Sequence, residues 1–295
     1  MIIILVIILI FIILFTNDNI KETFSNDYIL PKNIYTYWRN IKDEKIINAH
    51  IDTWRQNIKN WNIIVIDDNN LKDYVSQEFI EKYKNLDVVR YSDFIRLELL
   101  KTNGGVWLDG GIIVTNGQFL DTYYEEMIQN SYDICLYEYS DRSTETTQYL
   151  ENWFFMAPKN SKFINDLYNQ FDTAYKMGFL EYKQQILIPS NIDLKYTLQW
   201  NEKTYLMQHA IIHYLLQKGN EYKMNIKDAK TSMFKIQRDH DWDHARVVYF
   251  LENNTNWDDY YAIKMIRPTR HFITDEYKYI RNISNLSTRP HFHNR

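Results

Sequence analysis

Residues 91–115, YSDFIRLELLKTNGGVWLDGGIIVT, place a carboxylate and a guanidinium three positions apart and a second carboxylate after a short apolar run. On a helix, Asp93 and Arg96 at i and i+3 project from neighbouring positions of one face, so opposite charges share an edge. Asp109 leaves the run Val106-Trp107-Leu108 where side chains meet solvent, and in open α/β sheets such strand ends line the ligand crevice. A carboxylate there can hold a hard cation that neutralises phosphate oxygens. The chemistry such a group would serve is the handling of a sugar nucleotide. Taken singly, an Asp and an Arg one turn apart also make an ordinary solvated pair, and Gly-Gly after a helix an ordinary C-cap. Their conjunction in one stretch favours a site.

Local sequence must then position these groups. Phe94, Ile95, Leu97, Leu99 and Leu100 give the helix a wide apolar side. Asn103-Gly104-Gly105 can take φ > 0, ends the helix and turns the chain into the strand. Gly110-Gly111 lets backbone or ligand approach because no side chain intervenes. Gly104, Gly105 and Gly111 are therefore expected to border the ligand. Residues 34–38 predict a first strand, with Tyr37 and Trp38 near its end. Either ring could stack on a base, and core packing is an equal alternative for Trp38. A helix over 43–59 and a strand over 62–67 continue a β-α-β-α alternation, which predicts a mostly parallel, Rossmann-type α/β sheet flanked by helices. Strands are expected at 132–139 and 153–157 and helices at 160–175 and 202–217. The polar 140–147 loop is a candidate lid or acceptor segment, or a plain connection.

Further polar groups carry weaker signals. His209 and His213 stand at i, i+4, a geometry that can bind metal, but no Glu follows His209, and a structural pair is the better reading. Residues 238–244, RDHDWDH, alternate acid and imidazole, so His240 is a possible further metal ligand; a solvated loop is the default. Lys264, Arg267 and Arg270 could neutralise a diphosphate or merely decorate a terminal strand and turn. Cys135, the single cysteine, lies in an apolar run and reads as structural.

The pattern Ser92-Asp93-x-x-Arg96-x-x-x-Leu100-x-x-x-Gly104-Gly105-Val106-Trp107-Leu108-Asp109 resembles the core motif of the capsular polysaccharide synthesis proteins and related DXD-type sugar transferases. The likeness extends to Leu30-Pro31-Lys32-Asn33-Ile34-Tyr35-x-x-Trp38, to Thr53-Trp54 with Trp61-Asn62, and to residues 152–157, NWFFMA, covering roughly residues 30–218 and, more weakly, the tail. The resemblance implies a GT-A-like fold and a hexosyltransferase-like enzyme that moves a sugar from a nucleotide-diphosphate donor to a hydroxyl of a glycan or glycoconjugate. It implies that Asp93 and Arg96 contact the donor sugar and that Asp109 holds Mn²⁺ or Mg²⁺ against the diphosphate. One departure stands out: a strict DXD would place a second Asp where this chain has Gly111, and one carboxylate is a poor chelator unless donor phosphates and water complete the shell. The relatives suggest retention of configuration, and no general base is identifiable.

The 295-residue chain carries a net charge of −4 with no basic cluster, which argues against a nucleic-acid partner. Residues 1–15 are almost wholly apolar and lack a basic start, so residues 1–16 read as a single-pass signal anchor, slightly short, with a cleaved signal peptide as the alternative. Residues 17–29 read as a polar stem and 30–295 as the catalytic domain. The body would then lie in the secretory pathway or the cell envelope. A catalytically inactive sugar-nucleotide or glycan-binding protein of the same fold is the second functional reading, since it would explain Gly111. A glycoside hydrolase ranks third, because Asp109 has no convincing facing carboxylate.

Overall fold

A computed structural model describes residues 28–145, 147–197, 204–254 and 256–285. In chain order the main elements are β1 (Asn33–Tyr37), α1 (Lys45–Asn57), β2 (Asn62–Ile66), α2 (Gln77–Tyr83), α3 (Val88–Asn103), β3 (Gly105–Leu108) and β4 (Ile112–Val114). There follow α4 (Gln118–Asn130), β5 (Ile134–Glu138), β6 (Leu150–Ala157), α5 (Lys162–Met177), α6 (Met207–Gln217) and β7 (Met224–Asp228). The described chain closes with α7 (Lys235–Asp239), α8 (His244–Asn253), β8 (Ala262–Lys264) and α9 (Glu276–Ser284).

The main sheet has the order β2-β1-β3-β6-β5-β7. β1 is parallel to β2 and β3, and β5 to β7, whereas β6 lies antiparallel between β3 and β5. Five strands thus share one direction, as the alternation predicts, and only β6 is reversed. The reason is local: residues 139–149 hold no crossover helix, and a parallel return needs a dozen or more residues. Alternate residues feed opposite faces. Tyr35, Trp107, Leu136 and Phe155 join one core with α3, α5 and α6; Ile34, Val106, Cys135 and Phe154 join the other with α1 and α4.

α3 begins where Asp87 accepts hydrogen bonds from Val89 N and Arg90 N, and ends where Gly104 takes φ +70. A second, two-stranded sheet pairs β4 with β8, placing Lys264 opposite Ile112. Sequence allowed a terminal strand near Lys264 but not its pairing with β4, because three-residue strands carry too little periodicity to fix a partner. α9 packs on α1 and α8 around Ile113, Ile263 and Tyr279. No helix among the described residues is long and apolar enough to cross a membrane. The anchor expected at 1–16 and the stem up to residue 27 lie outside the described residues, as do residues 202 and 203 of the helix expected at 202–217.

Candidate active site

Asp109 follows β3 directly, and its amide donates to Trp153 O on β6 at 3.0 Å. The chain turns at once: Ile112 N returns to Asp109 O at 3.0 Å, and Met265 N reaches Gly111 O at 2.8 Å. α1 fastens this turn from behind. Trp54 Nε1 donates to Ile112 O at 2.7 Å, and Val114 N donates to Thr53 Oγ1 at 3.0 Å, so the Thr53-Trp54 motif anchors β4. One turn earlier, buried His50 sets Nδ1 3.3 Å from Gly110 O and Nε2 2.7 Å from the Tyr279 hydroxyl of α9. A carbonyl only accepts, so Nδ1 carries the proton and Nε2 accepts from Tyr279. Burial, with the nearby charges of Arg270 and Lys264, depresses the His50 pKa to about 3 and keeps the ring neutral.

Asp93 and Arg96 are 5% and 4% exposed, which rules out the solvated-pair reading. Arg96 Nη1 donates to Asp93 Oδ1 at 2.7 Å and to Gln208 Oε1 at 2.8 Å, while Nη2 donates to Asp109 Oδ1 at 3.0 Å. The guanidinium lies over the Trp107 ring at 4.9 Å, and Trp107 Nε1 donates to the same Asp109 oxygen at 2.8 Å. The other oxygen of Asp109 takes Lys264 Nζ at 2.6 Å. Asn152 Nδ2 completes the polar cluster by donating to Gln208 Oε1 at 2.6 Å. A continuous chain of charge, Asp93 to Arg96 to Asp109 to Lys264, therefore runs from α3 across the strand end to β8.

Its members titrate unequally. Burial raises the Asp93 pKa to about 6, with Arg96 opposing the rise. Burial also pulls Asp109 upward, but Lys264 and Arg96 outweigh it and hold the carboxyl below its ordinary value. Lys264 is nevertheless lowered, by burial first and by the charges of Arg270 and Arg96, against the pull of Asp109. The pair itself favours the charged form of both partners; Lys264 ends below its ordinary value because burial comes first and two guanidinium cations, Arg270 and Arg96, face it as well. Such a site favours an incoming anion.

A cavity of about 740 Å³ opens onto the cluster, bordered by Trp38, Asp93, Asp109, Gly111, Trp153, Lys264 and Arg270 among others. Arg96 Nε, Trp153 Nε1 and His209 Nδ1 are buried along it without hydrogen-bond partners among the described residues. Each such orphan costs about 1–3 kcal/mol, a cost that a polar ligand in the cavity would relieve.

Of the residues singled out by sequence, Asp93, Arg96, Asp109 and Gly111 meet at this cavity, and Trp38 stands at its mouth with Arg270 over its ring at 5.3 Å. Tyr37 is buried, packs edge-on against Tyr91 at 5.9 Å and gives its hydroxyl to Asp68, so only part of it borders the cavity. Gly104 and Gly105 do not border it: they begin β3, while Asp109 follows its other end. His240 does not reach Asp109 either. It lines a separate, mostly apolar groove and packs on Phe250 at 4.9 Å, while the neighbouring Asp243 caps α8 and Asp239 pairs with Lys235. Cys135 is buried in β5, as a structural cysteine should be. His213 is likewise buried, but His209 borders the cavity, with Glu151 Oε2 3.4 Å from its Nε2. Sequence reasoning missed Glu151 and Gln208 altogether; their only signal was adjacency, to Asn152 and to His209.

The donor set does not suit Mn²⁺ or Mg²⁺. Both Asp109 oxygens are engaged by cations or an indole, Gly111 offers no carboxylate, and no group of three His, Cys, Asp or Glu among the described residues is placed to hold an ion.

The sequence profile of the family described as capsular polysaccharide synthesis protein matches residues 10–259. No curated protein matches the chain significantly. Among solved structures it is similar to the PaToxG glycosyltransferase, at 15% identity and a TM-score of 0.39 over 87% of each chain. It is also similar to the glycosyltransferase GlyE of Streptococcus pneumoniae TIGR4, at 8% identity and a TM-score of 0.48, covering 88% of this chain and 61% of that one.

Proposed function

The chain belongs to the capsular polysaccharide synthesis protein family, and from that premise we propose that it is a glycosyltransferase, moving a hexose from a nucleoside-diphosphate donor to a hydroxyl of a glycan or glycoconjugate. The observation that carries the reading is the ion-paired chain Asp93, Arg96, Asp109 and Lys264 at the strand ends, its first two members buried and its last two partly open to a cavity of a size suited to such a donor. Asp93 and Arg96 orient the donor sugar, which lowers the entropic cost of reaching the transition state. Asp109 holds Arg96 and Lys264 in place. The cationic wall of Lys264, Arg267 and Arg270 stabilises the charge that develops on the departing diphosphate, and Trp38 offers a ring to the base. Residues 1–15 anchor the protein in a membrane of the cell envelope or secretory pathway; their unbroken apolar character supports this.

Thermal stabilisation by a panel of sugar nucleotides, followed by assay of donor hydrolysis and transfer, tests the proposal. At least one sugar nucleotide should raise the melting temperature and be turned over. Stabilisation without turnover would favour the inactive binding protein, and a silent panel would remove the donor reading. Asp93→Ala should weaken the intact sugar nucleotide far more than the free nucleoside diphosphate. For the anchor, the full chain should sediment with membranes and a chain starting at Ser25 should not.

A further inference from the structure

We propose that Lys264, backed by Arg270, supplies the positive charge that a divalent ion supplies at a paired-carboxylate strand end, so that the donor diphosphate binds here without metal. This rests on the donor reading above. Lys264 already occupies the place of such an ion, with Nζ 2.6 Å from Asp109 Oδ2. An ion bound to that oxygen would have to displace the ammonium and would then face Arg96 and Arg270 as well, with one carboxylate in its favour.

Lys264 is also held rigidly. Its backbone amide donates to Met233 O at 2.9 Å, β8 is paired with β4, and Nζ lies over the Trp153 ring at 6.0 Å. A charge fixed before the ligand arrives needs no reorganisation when charge develops on a leaving group. Gly111 completes the cradle. A Cβ on it would stand 3.9 Å from Lys264 Nζ and 4.0 Å from Arg270 Nη1, so the absent side chain leaves open the space between two cations. The same Gly111 that deprives the site of a second carboxylate gives phosphate oxygens room to reach both. Lys264 and Arg270 lie beyond residue 259, where the family match ends. The family motif therefore does not foretell them.

Isothermal titration with UDP, GDP and inorganic pyrophosphate, in EDTA and in Mn²⁺, tests the inference; pyrophosphate reads the phosphate site whatever base the protein prefers. Wild-type protein should bind in EDTA within about threefold of its affinity in Mn²⁺. Lys264→Met, which keeps the aliphatic stem, should lose at least about tenfold in EDTA, the scale of one charge-assisted contact, with no rescue by Mn²⁺. Should Lys264→Met not fold, Arg270→Gln should still weaken binding in EDTA. Wild-type binding only with Mn²⁺, or unchanged affinity in folded Lys264→Met, would overturn the inference and leave the donor reading standing. No binding of any probe, together with a silent sugar-nucleotide panel, would overturn both.

Discussion

The two ends of β3 carry glycine pairs with opposite duties. Gly104 and Gly105 take φ +70 and +112, and a Cβ on them would meet Lys159 N at 2.4 Å and Asn33 O at 2.8 Å. They let three stretches of backbone crowd together. At the other end Gly111 has no such φ; its Cβ would meet Met265 O at 3.1 Å and then the two cations of the cavity. A glycine pair in a motif therefore does not itself mark a ligand. Strand direction decides: Gly111 follows the C-terminal end of β3, which opens onto the cavity, whereas Gly104 and Gly105 lead into the strand's start.

The largest effect should come from Gly104→Ala, which combines a strained φ with a backbone collision: a loss on the order of 4 kcal/mol, or no folding at all. Gly111→Ala should cost about 1 kcal/mol, since only Met265 O must yield. Urea unfolding of both proteins measures the contrast, and equal midpoints would erase it. Next comes Arg96→Ala. It leaves Asp93 buried without its cation, and breaking a buried pair from one side costs about 3 kcal/mol or more. Lys32→Ala, at a pair whose side chains are both 37% exposed, should cost at most about 1 kcal/mol. Similar midpoints for these two would mean that Arg96 does not hold the cluster together.

Gly111→Asp probes the ligand end alone. The added carboxylate competes for Lys264 and Arg270, so pyrophosphate binding in EDTA should weaken about tenfold, as one charge-assisted contact is lost. A new Mn²⁺ requirement with tighter binding would instead show that a paired-carboxylate site can be rebuilt there. The smallest effect is in pH. The Asp93 pKa is raised from its ordinary 3.8 to about 6, so the folded protein holds this proton more tightly than the unfolded chain. From this group stability is greatest below the ordinary value and falls as pH rises through about 6. Sugar orientation runs the other way, because it needs the carboxylate. Affinity for an intact sugar nucleotide, whose diphosphate charge is constant over this range, should fall several-fold from pH 7.5 to 5. A flat titration would separate Asp93 from the sugar.

What could be read from sequence was local and periodic. The apolar side of α3, its stop at Gly104, the buried run of β3 and the placing of Asp109 at a strand end all follow from spacing and φ preference, and the structure keeps them. The β-α-β-α alternation likewise sufficed for a mostly parallel sheet with two covered faces. Spacing could not say whether Asp93 and Arg96 face water or the core, since an i, i+3 pair looks the same in both settings. It could not say that Gly104 and Gly105 serve packing and Gly111 the cavity. Nor could it pair β4 with β8, or bring Lys264 to Asp109 across 155 residues and Gln208 to Arg96 across 112. Those contacts depend on which elements cover one another. Periodicity records which face of an element is buried, and only tertiary packing decides what buries it.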